Sequence, residues 1–421
     1  MIINNAATVI GTNDSYPTFI DLEFLQFGGG TSNIDYGNFT GIQRELVYGQ
    51  IRATDSSEVT ICENHENRSF LYVDFNAVGG QLIFEGGNLS KDINRKFFIL
   101  ASESGIITIE NTISNVTFTN IDQIICNDHS TLNIFTSFTY SPKNTSQALI
   151  QTFDSTVVIG RASLIDELNI DDRWILNMSS GALNIVSGNI KANSTDQALI
   201  TTYGTLITIV KRATAIFTTS NVFNISEGIM NIQGGTFIQN STEHAMITAT
   251  NATVTFGENS TSIFKAAWGL NVIQGNLNIF GGIFTYKSIK HGMVTATDAM
   301  VTIGRKTTPT MTGFNLFNIL RGTIYILGGT FNKPSSLELN GTRISITDAN
   351  ATFGDENDAN VTPIFNNIDY FNFTGGRVWF YSGQYHGIKS GFRIKSFESQ
   401  LTFDGKLRQP ELYQIQAIKQ D

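Results

Sequence analysis

The sequence is poor in cysteine, proline and charge. Its 421 residues include 2 cysteines, 6 prolines and only 15% charged side chains. So few cysteines cannot supply the disulfide framework that small secreted domains use in place of a large core. Cys62 and Cys126 follow different predicted strands, more than two repeat lengths apart, so we expect two isolated thiols.

The formal net charge of −9 argues against nucleic-acid binding, which needs a basic face. The longest apolar runs, such as 314–320, are too short to span a bilayer. We therefore expect no nucleic-acid partner and no direct membrane insertion. No signal peptide begins at Met1, and no motif indicates a cofactor.

Glycine is abundant, and its spacing is regular. A corner residue, Gly or Asp/Asn, recurs every 22 to 28 positions along the chain. In the middle the repeat is strict, because Gly181, Gly228, Gly275 and Gly322 lie 47 residues apart, which is two corner spacings. A fixed internal period of this kind indicates a solenoid.

The segments between corners have the pattern of β-strands. In one of them Val301 and Ile303 alternate with Thr302, and a period of two places alternate side chains on opposite faces. Gly, Asn and Asp tolerate the positive φ that a tight bend requires. Ordinary hairpin turns are the alternative, but they would not recur at one offset. The sequence predicts an all-β, single-stranded parallel β-helix (β-solenoid) of about 16–17 laps of 22–28 residues.

Short GG motifs carry a family resemblance. GGTF (234–237), GGIF (281–284) and GGTF (328–331) alternate with VTIG or VTFG segments. In this the chain resembles right-handed parallel β-helix proteins of the pectin-lyase-like superfold, and more narrowly the repetitive surface and adhesin-type β-helices of microbes. The resemblance covers nearly the whole chain. It implies a right-handed solenoid, but this superfold hosts both enzymes and passive stalks.

The pattern lapses near residue 405. We predict a solenoid over 1–405 and a cap, linker or disordered tail over 406–421. Because Met1 enters in the middle of a lap and solenoids need polar caps, we expect the chain to be a fragment of a longer polypeptide.

Four aromatic residues near the C-terminus are candidate binding residues. They fall on or beside the outward strand positions of the last laps, where exposed rings can stack on sugars or anchor a partner. They are Tyr325, Trp379, Tyr381 and Tyr385. The other outward positions are mainly Thr and Asn, which favour strands and form hydrogen-bonded stacks; a flat face for ice or glycan hydroxyls is the alternative. Repeated Phe237, Phe284 and Phe331 are predicted to pack inside.

A catalytic or metal site is not predicted. The order DD, HG, RIK of polygalacturonase-like enzymes is matched by Asp171-Asp172, His386-Gly387 and Arg393-Ile394-Lys395. The spacing does not fit, because Asp172 and His386 are about eight laps, or roughly 40 Å, apart. The two catalytic carboxyl groups of a glycoside hydrolase must lie on either side of the glycosidic bond that is cleaved, which this separation excludes. Asp298 and Asp348 share a corner two laps apart, roughly 10 Å, which is too far to share a calcium ion.

N-x-S/T sequons are numerous. Those starting at Asn193, Asn240 and Asn259 fall in predicted loops and are candidate glycosylation sites if the protein is secreted by a eukaryote.

The favoured functional hypothesis is an extracellular or cell-surface structural or adhesive β-solenoid, leaning away from an enzyme. Its lateral face would bind glycans or another surface protein. One alternative is a polysaccharide lyase or glycoside hydrolase of the β-helix superfold. Another is a viral or phage tail spike, which predicts a trimer. The oligomeric state is left open.

Overall fold

Parallel β-strands are the regular elements of the computed structural model, which contains no helix among the residues it describes. Those residues are 1–4, 7–10, 18–34, 38–41, 49–61, 69–71, 73–90, 98–110, 116–136, 138–142, 147–161, 174–191, 197–211, 213–218, 221–239, 243–266, 268–286, 291–304, 308–334, 343–358, 362–386, 392–403 and 415–419. Within these ranges no helix is long and apolar enough to cross a membrane. The predicted all-β, parallel β-solenoid is confirmed.

The chain divides into two compact units, Met1–Leu206 (unit 1) and Ile207–Asp421 (unit 2). The strands of unit 1 are β1 (Ile2–Asn4), β2 (Thr8–Ile10), β3 (Thr18–Leu22), β4 (Phe24–Gly28), β5 (Thr31–Ile34), β6 (Asn38–Gly41), β7 (Gly49–Thr54), β8 (Glu58–Ile61), β9 (Ser69–Leu71), β10 (Val73–Val78), β11 (Gln81–Phe84), β12 (Gly87–Ser90), β13 (Phe98–Ser102), β14 (Ile106–Ile109), β15 (Val116–Ile121), β16 (Gln123–Cys126), β17 (Thr131–Ile134), β18 (Phe138–Pro142), β19 (Ile150–Ile159), β20 (Leu176–Ile185), β21 (Asn189–Lys191) and β22 (Ile200–Tyr203).

The strands of unit 2 begin with β23, whose first residue is the last of unit 1. They are β23 (Leu206–Ile209), β24 (Ile216–Thr218), β25 (Phe223–Ser226), β26 (Ile229–Ile232), β27 (Thr236–Ile238), β28 (Ile247–Thr250), β29 (Thr253–Phe256), β30 (Ile263–Ala266), β31 (Leu270–Ile273), β32 (Asn276–Ile279), β33 (Ile283–Tyr286), β34 (Val294–Ile303), β35 (Thr310–Thr312), β36 (Asn315–Ile326), β37 (Thr330–Asn332), β38 (Arg343–Phe353), β39 (Ile364–Asn366), β40 (Tyr370–Thr374), β41 (Arg377–Phe380), β42 (Gln384–His386), β43 (Phe392–Phe397), β44 (Gln400–Phe403) and β45 (Ile415–Lys419).

In unit 1 the strands stack in three columns, with parallel pairing between successive turns. The first column holds β1, β4, β7, β10, β13 and β16, the second holds β2, β5, β8, β11, β14 and β17, and the third holds β3, β6, β9, β12, β15 and β18. The register is direct: Gln26 pairs with Arg52, and Arg52 pairs with Asn76. The longer strands β19 and β20 pass through the corner and contribute to two columns.

Unit 2 repeats the three-column arrangement. Its first column includes β25, β28, β31, β40 and β43, its second β26, β29, β32, β41 and β44, and its third runs from β24 to β42. In the first column Asn224 pairs with Thr248 and Thr248 with Asn271, so two turns reproduce the 47-residue repeat. Within the predicted tail, Ile415–Lys419 pairs in parallel with Phe392–Ser396 and continues this column.

The corners confirm one part of the turn prediction and correct another. The acidic and amide corners have positive φ as predicted, with values between 50° and 53° at Asp55, Glu103, Asp154, Asn251, Asp298, Asp348 and Glu398. At Gly275, however, the residue with positive φ is the preceding one, Gln274. Gly275 is needed for another reason, since a Cβ there would come within 2.2 Å of the Ala252 carbonyl oxygen.

The core follows the predicted alternation. Val301 and Ile303 are fully buried, while Thr302 between them is partly exposed. In the third column the inward rings of Phe237 and Phe264 stack with centroids 4.1 Å apart, and Phe264 stacks on Phe284 at 5.2 Å. These stacks confirm the prediction that the repeated phenylalanines pack inside, where each ring removes a large apolar area from water.

Candidate binding face

Two of the four predicted aromatic residues share one outward column of unit 2. Tyr325 in β36 pairs with Thr352 in β38, and Thr352 pairs with Trp379 in β41. The side chain of Tyr325 is 37% exposed and that of Trp379 is half-buried, whereas the neighbouring Ile324 is fully buried. Because adjacent strands lie about 4.8 Å apart, the two aromatic residues are separated by roughly 10 Å along the sheet.

The other two predicted residues lie elsewhere. Tyr385 is in the third column, where its ring stacks on Phe365 at 5.2 Å with an interplanar angle of 9°. It therefore continues the interior aromatic stack. Tyr381 follows β41 directly, and its backbone N–H donates to the carbonyl oxygen of Phe353. The geometry thus brings Tyr325 and Trp379 onto one column and places Tyr385 in another.

The sequence patterns did not single out Arg377 as a polar neighbour of this column. Arg377 precedes Trp379 by two residues in β41 and is exposed on the same face. Across the corner, Lys395 places its ammonium group 5.3 Å from the centroid of the Tyr370 ring. The signal was available, because the same period-two alternation places Arg377 and Tyr370 outward. We call Tyr325, Thr352, Arg377 and Trp379, which lie on this column, the aromatic face. Tyr370 and Lys395 lie on the first column, across the corner.

The aromatic face combines two kinds of recognition group. The rings offer apolar surfaces, and the guanidinium group of Arg377 is a hydrogen-bond donor that carries positive charge. Thr352 supplies a hydroxyl that can donate or accept. Such a surface can bind a ligand that has both flat apolar patches and polar edges.

The Thr and Asn positions form hydrogen bonds between turns. Asn278 Nδ2 donates to Thr255 Oγ1 at 3.3 Å, and in unit 1 Asn133 Nδ2 donates to Thr108 Oγ1 at 3.2 Å. These bonds run along the column and link one turn to the next. They support the predicted structural role of the outward amides.

The corner carries an exposed ion pair. Arg321 Nε donates to Asp298 Oδ1 at 2.8 Å, and a second guanidinium nitrogen donates to Asp298 Oδ2 at 2.9 Å. The hydrogen bond from Arg321 lowers the pKa of the Asp298 carboxyl below its ordinary value. Asp298 therefore serves the bend and this pair, in agreement with its predicted role as a corner residue.

The residues of the discounted catalytic pattern are not gathered in the described structure. His386 is exposed in the third column, whereas Ile394 in the first column is buried and Lys395 beside it is exposed. Asp171 and Asp172 lie outside the described residues. Among the residues that are described, no group of three or more His, Cys, Asp or Glu side chains could hold a metal ion.

The predicted modification and thiol residues are only partly described. Asn259 is exposed in a turn, while Asn193, Asn240 and Cys62 lie outside the described residues. Cys126 is a free, buried cysteine, and burial raises the pKa of its thiol to about 12. An isolated thiol at Cys126 agrees with the expectation from its spacing.

Comparisons with protein-family models, with curated proteins and with solved structures gave no match. The β-solenoid assignment therefore rests on the strand register and the corners of this chain itself.

Proposed function

We propose that this chain is a non-enzymatic, surface-exposed β-solenoid that binds a glycan through the aromatic face of unit 2. The observation that carries the proposal is the outward column in which Tyr325 and Trp379 flank Thr352. The working location would be extracellular or at the cell surface, and the solenoid would act as a stalk or adhesin.

Sugar recognition suits this chemistry. The faces of sugar rings are apolar C–H surfaces that pack on aromatic rings, and the hydroxyls at the ring edges need donors and acceptors. Trp379 and Arg377 provide both kinds of group on one strand. The separation of roughly 10 Å between Tyr325 and Trp379 suits an extended chain of several sugars better than a single one.

The ionisable groups support binding rather than catalysis. A general acid that works near neutral pH needs a raised pKa. The carboxyl of Asp298 has the opposite shift, because Arg321 stabilises its charged form. Asp298 is therefore not suited to act as a general acid.

The GG motifs support the proposed kinship with GG-containing surface β-helices at the level of architecture. A Cβ on Gly281 would come within 2.7 Å of the Gly257 carbonyl oxygen, and Gly282 has φ of 103°. Each glycine therefore has a steric reason. The GG motif has a structural role in the turn, and we therefore place the proposed ligand site on the lateral face and not at this motif.

The test is a saccharide-binding experiment with polygalacturonate, a β-glucan and chitin oligosaccharides as probes. Binding is measured by calorimetry and by tryptophan fluorescence. We expect at least one probe to bind, and Trp379→Ala and Tyr325→Ala each to weaken its binding by about tenfold, equivalent to ~1.4 kcal/mol. The matched control is Tyr203→Ala, since Tyr203 is a 53% exposed aromatic residue in unit 1.

Two outcomes would contradict the proposal. One is binding that is unchanged in both variants, which would place the ligand elsewhere. The other is release of reducing ends or unsaturated uronides from a probe, which would show that the chain is an enzyme.

A further inference from the structure

A group of four polar side chains lies on the first column of unit 1. Gln50 and Arg52 face outward from β7, and Asp74 and Asn76 face outward from β10. Gln50 pairs with Asp74 and Arg52 with Asn76, so the four residues occupy adjacent register positions on two successive turns. We call them the polar tetrad.

Two members of the tetrad are nearly buried and two are more exposed. Asp74 and Asn76 are each only 7% exposed, although the core side of β10 is occupied by Phe75, whose ring packs against Phe84. Gln50 and Arg52 are half-buried. Outward side chains of a solenoid strand are normally solvated, so two nearly buried polar groups there require partners.

The hydrogen bonds within the tetrad leave one acceptor open. Arg52 Nε donates to Gln50 Oε1 at 2.6 Å, and the backbone N–H of Phe98 donates to Asp74 Oδ1 at 3.3 Å. The amide oxygen of Asn76 is buried and has no hydrogen-bond partner among the described residues. A buried acceptor without a donor is costly and marks a place where a ligand group can bind.

We propose that the polar tetrad is a second ligand site, independent of the aromatic face, and that it binds the hydroxyl groups of a neutral sugar. A sugar hydroxyl can donate to Asn76 Oδ1 and at the same time accept from the guanidinium of Arg52. Two half-buried aromatic residues lie on the adjacent turns: Phe24 pairs with Gln50 on one side, and the backbone N–H of Phe98 donates to Asp74 on the other.

The charges of the tetrad select this ligand class over ions. An anion would be repelled by the carboxylate of Asp74. A calcium ion would find the oxygens of Asp74 and Asn76, but it would also meet the positive charge of Arg52. A neutral hydroxyl group can donate to Asn76 Oδ1 and accept from the guanidinium of Arg52.

The experiment is saturation-transfer NMR with glucose, mannose, galactose and N-acetylglucosamine as probes. It uses the full chain carrying Trp379→Ala, so that the aromatic face does not contribute. We expect at least one sugar to bind and Asn76→Leu to weaken it by at least about tenfold. Arg52→Met, at a half-buried position, should weaken sugar binding by a similar factor. If Asn76→Leu fails to fold, the Arg52→Met variant provides the test of the proposal.

The matched control is Asn133→Leu, which removes an outward amide of unit 1 that already donates to Thr108. It should leave sugar binding unchanged. The proposal is overturned if none of the four sugars binds, if binding survives in both tetrad variants, or if calcium alone binds and is lost in Asn76→Leu. Failure of this site would leave polysaccharide binding by the aromatic face intact, so the two proposals are separable.

Discussion

The α-carbon of Gly275 lies against Ala252 of the preceding turn, so closely that an added Cβ would approach the Ala252 carbonyl oxygen to 2.2 Å. Gly322 has the same relationship to Ala299, at 2.3 Å. The two lap types of the sequence therefore alternate for a steric reason. A glycine on one turn makes room for the backbone of the acidic or amide corner on the previous turn.

This contact predicts that Gly275→Ala destabilises unit 2. Gly275 itself is not in the positive-φ region, so the expected loss comes from the steric clash and not from backbone strain. We expect a loss of about 3 kcal/mol, the upper range for overpacking a tightly packed site. Gly204→Ala is the comparison, because Gly204 has φ of 60° but nothing within 4 Å of its virtual Cβ. That variant should lose only about 1 kcal/mol. Urea unfolding followed by circular dichroism measures both, and equal losses would refute the steric explanation.

The interior aromatic stack predicts a large cavity effect. Phe237 is fully buried between Phe217 and Phe264, with centroids 4.8 Å and 4.1 Å away. We expect Phe237→Ala to cost about 3–5 kcal/mol. Phe397→Ala should change the unfolding free energy little, since Phe397 is 49% exposed. A small effect of Phe237→Ala in thermal unfolding would mean that the stack contributes less than its burial implies.

The Asp298–Arg321 pair predicts a pH dependence with a definite sign. The folded-state pKa of Asp298 is lowered from 3.8 by Arg321. The contribution of this pair to stability is therefore present above the unfolded-state pKa and is lost as the pH falls through the lowered folded-state value. Arg321→Met should raise the pKa of Asp298 towards 3.8, as measured by NMR titration of its carboxyl carbon. Arg343→Met, which removes another exposed arginine, should not shift it; a shift in both variants would point to a general charge effect.

The burial of Cys126 predicts chemical inertness. With its pKa raised to about 12, the thiol has almost no reactive thiolate at pH 8. In a Cys62→Ser variant, where Cys126 is the single thiol, we expect labelling by iodoacetamide only after unfolding. The same variant in denaturant provides the reference for complete reaction. Rapid labelling of the native chain would show that the first column opens readily at this turn.

The placement of the aromatic residues shows how far sequence patterns reach. The alternation correctly placed Phe237 and Phe331 inside and Tyr325 on an exposed outward position. It associated Tyr385 with the outward positions, although Tyr385 follows Gly383 by two residues as Phe237 follows Gly235, which is the signal for the interior stack. Arg377 and Tyr370 could be found in the same way, by extending the alternation through the corner. The positions of the polar tetrad follow the same lap spacing, but the burial of Asp74 and Asn76 and the unpaired amide oxygen of Asn76 are visible only in the structure.

The class of fold, the lap length and most of the inward positions follow from the amino-acid sequence alone. Those properties are local, since they depend on side chains that alternate along one strand and on corner residues that accept positive φ. Particular contacts between side chains of different turns appear only in the folded structure, such as Arg321 against Asp298 and Tyr385 on Phe365. These contacts depend on side-chain conformation and on the course of each intervening loop, and the loops differ in length from lap to lap, so sequence separation alone does not specify them.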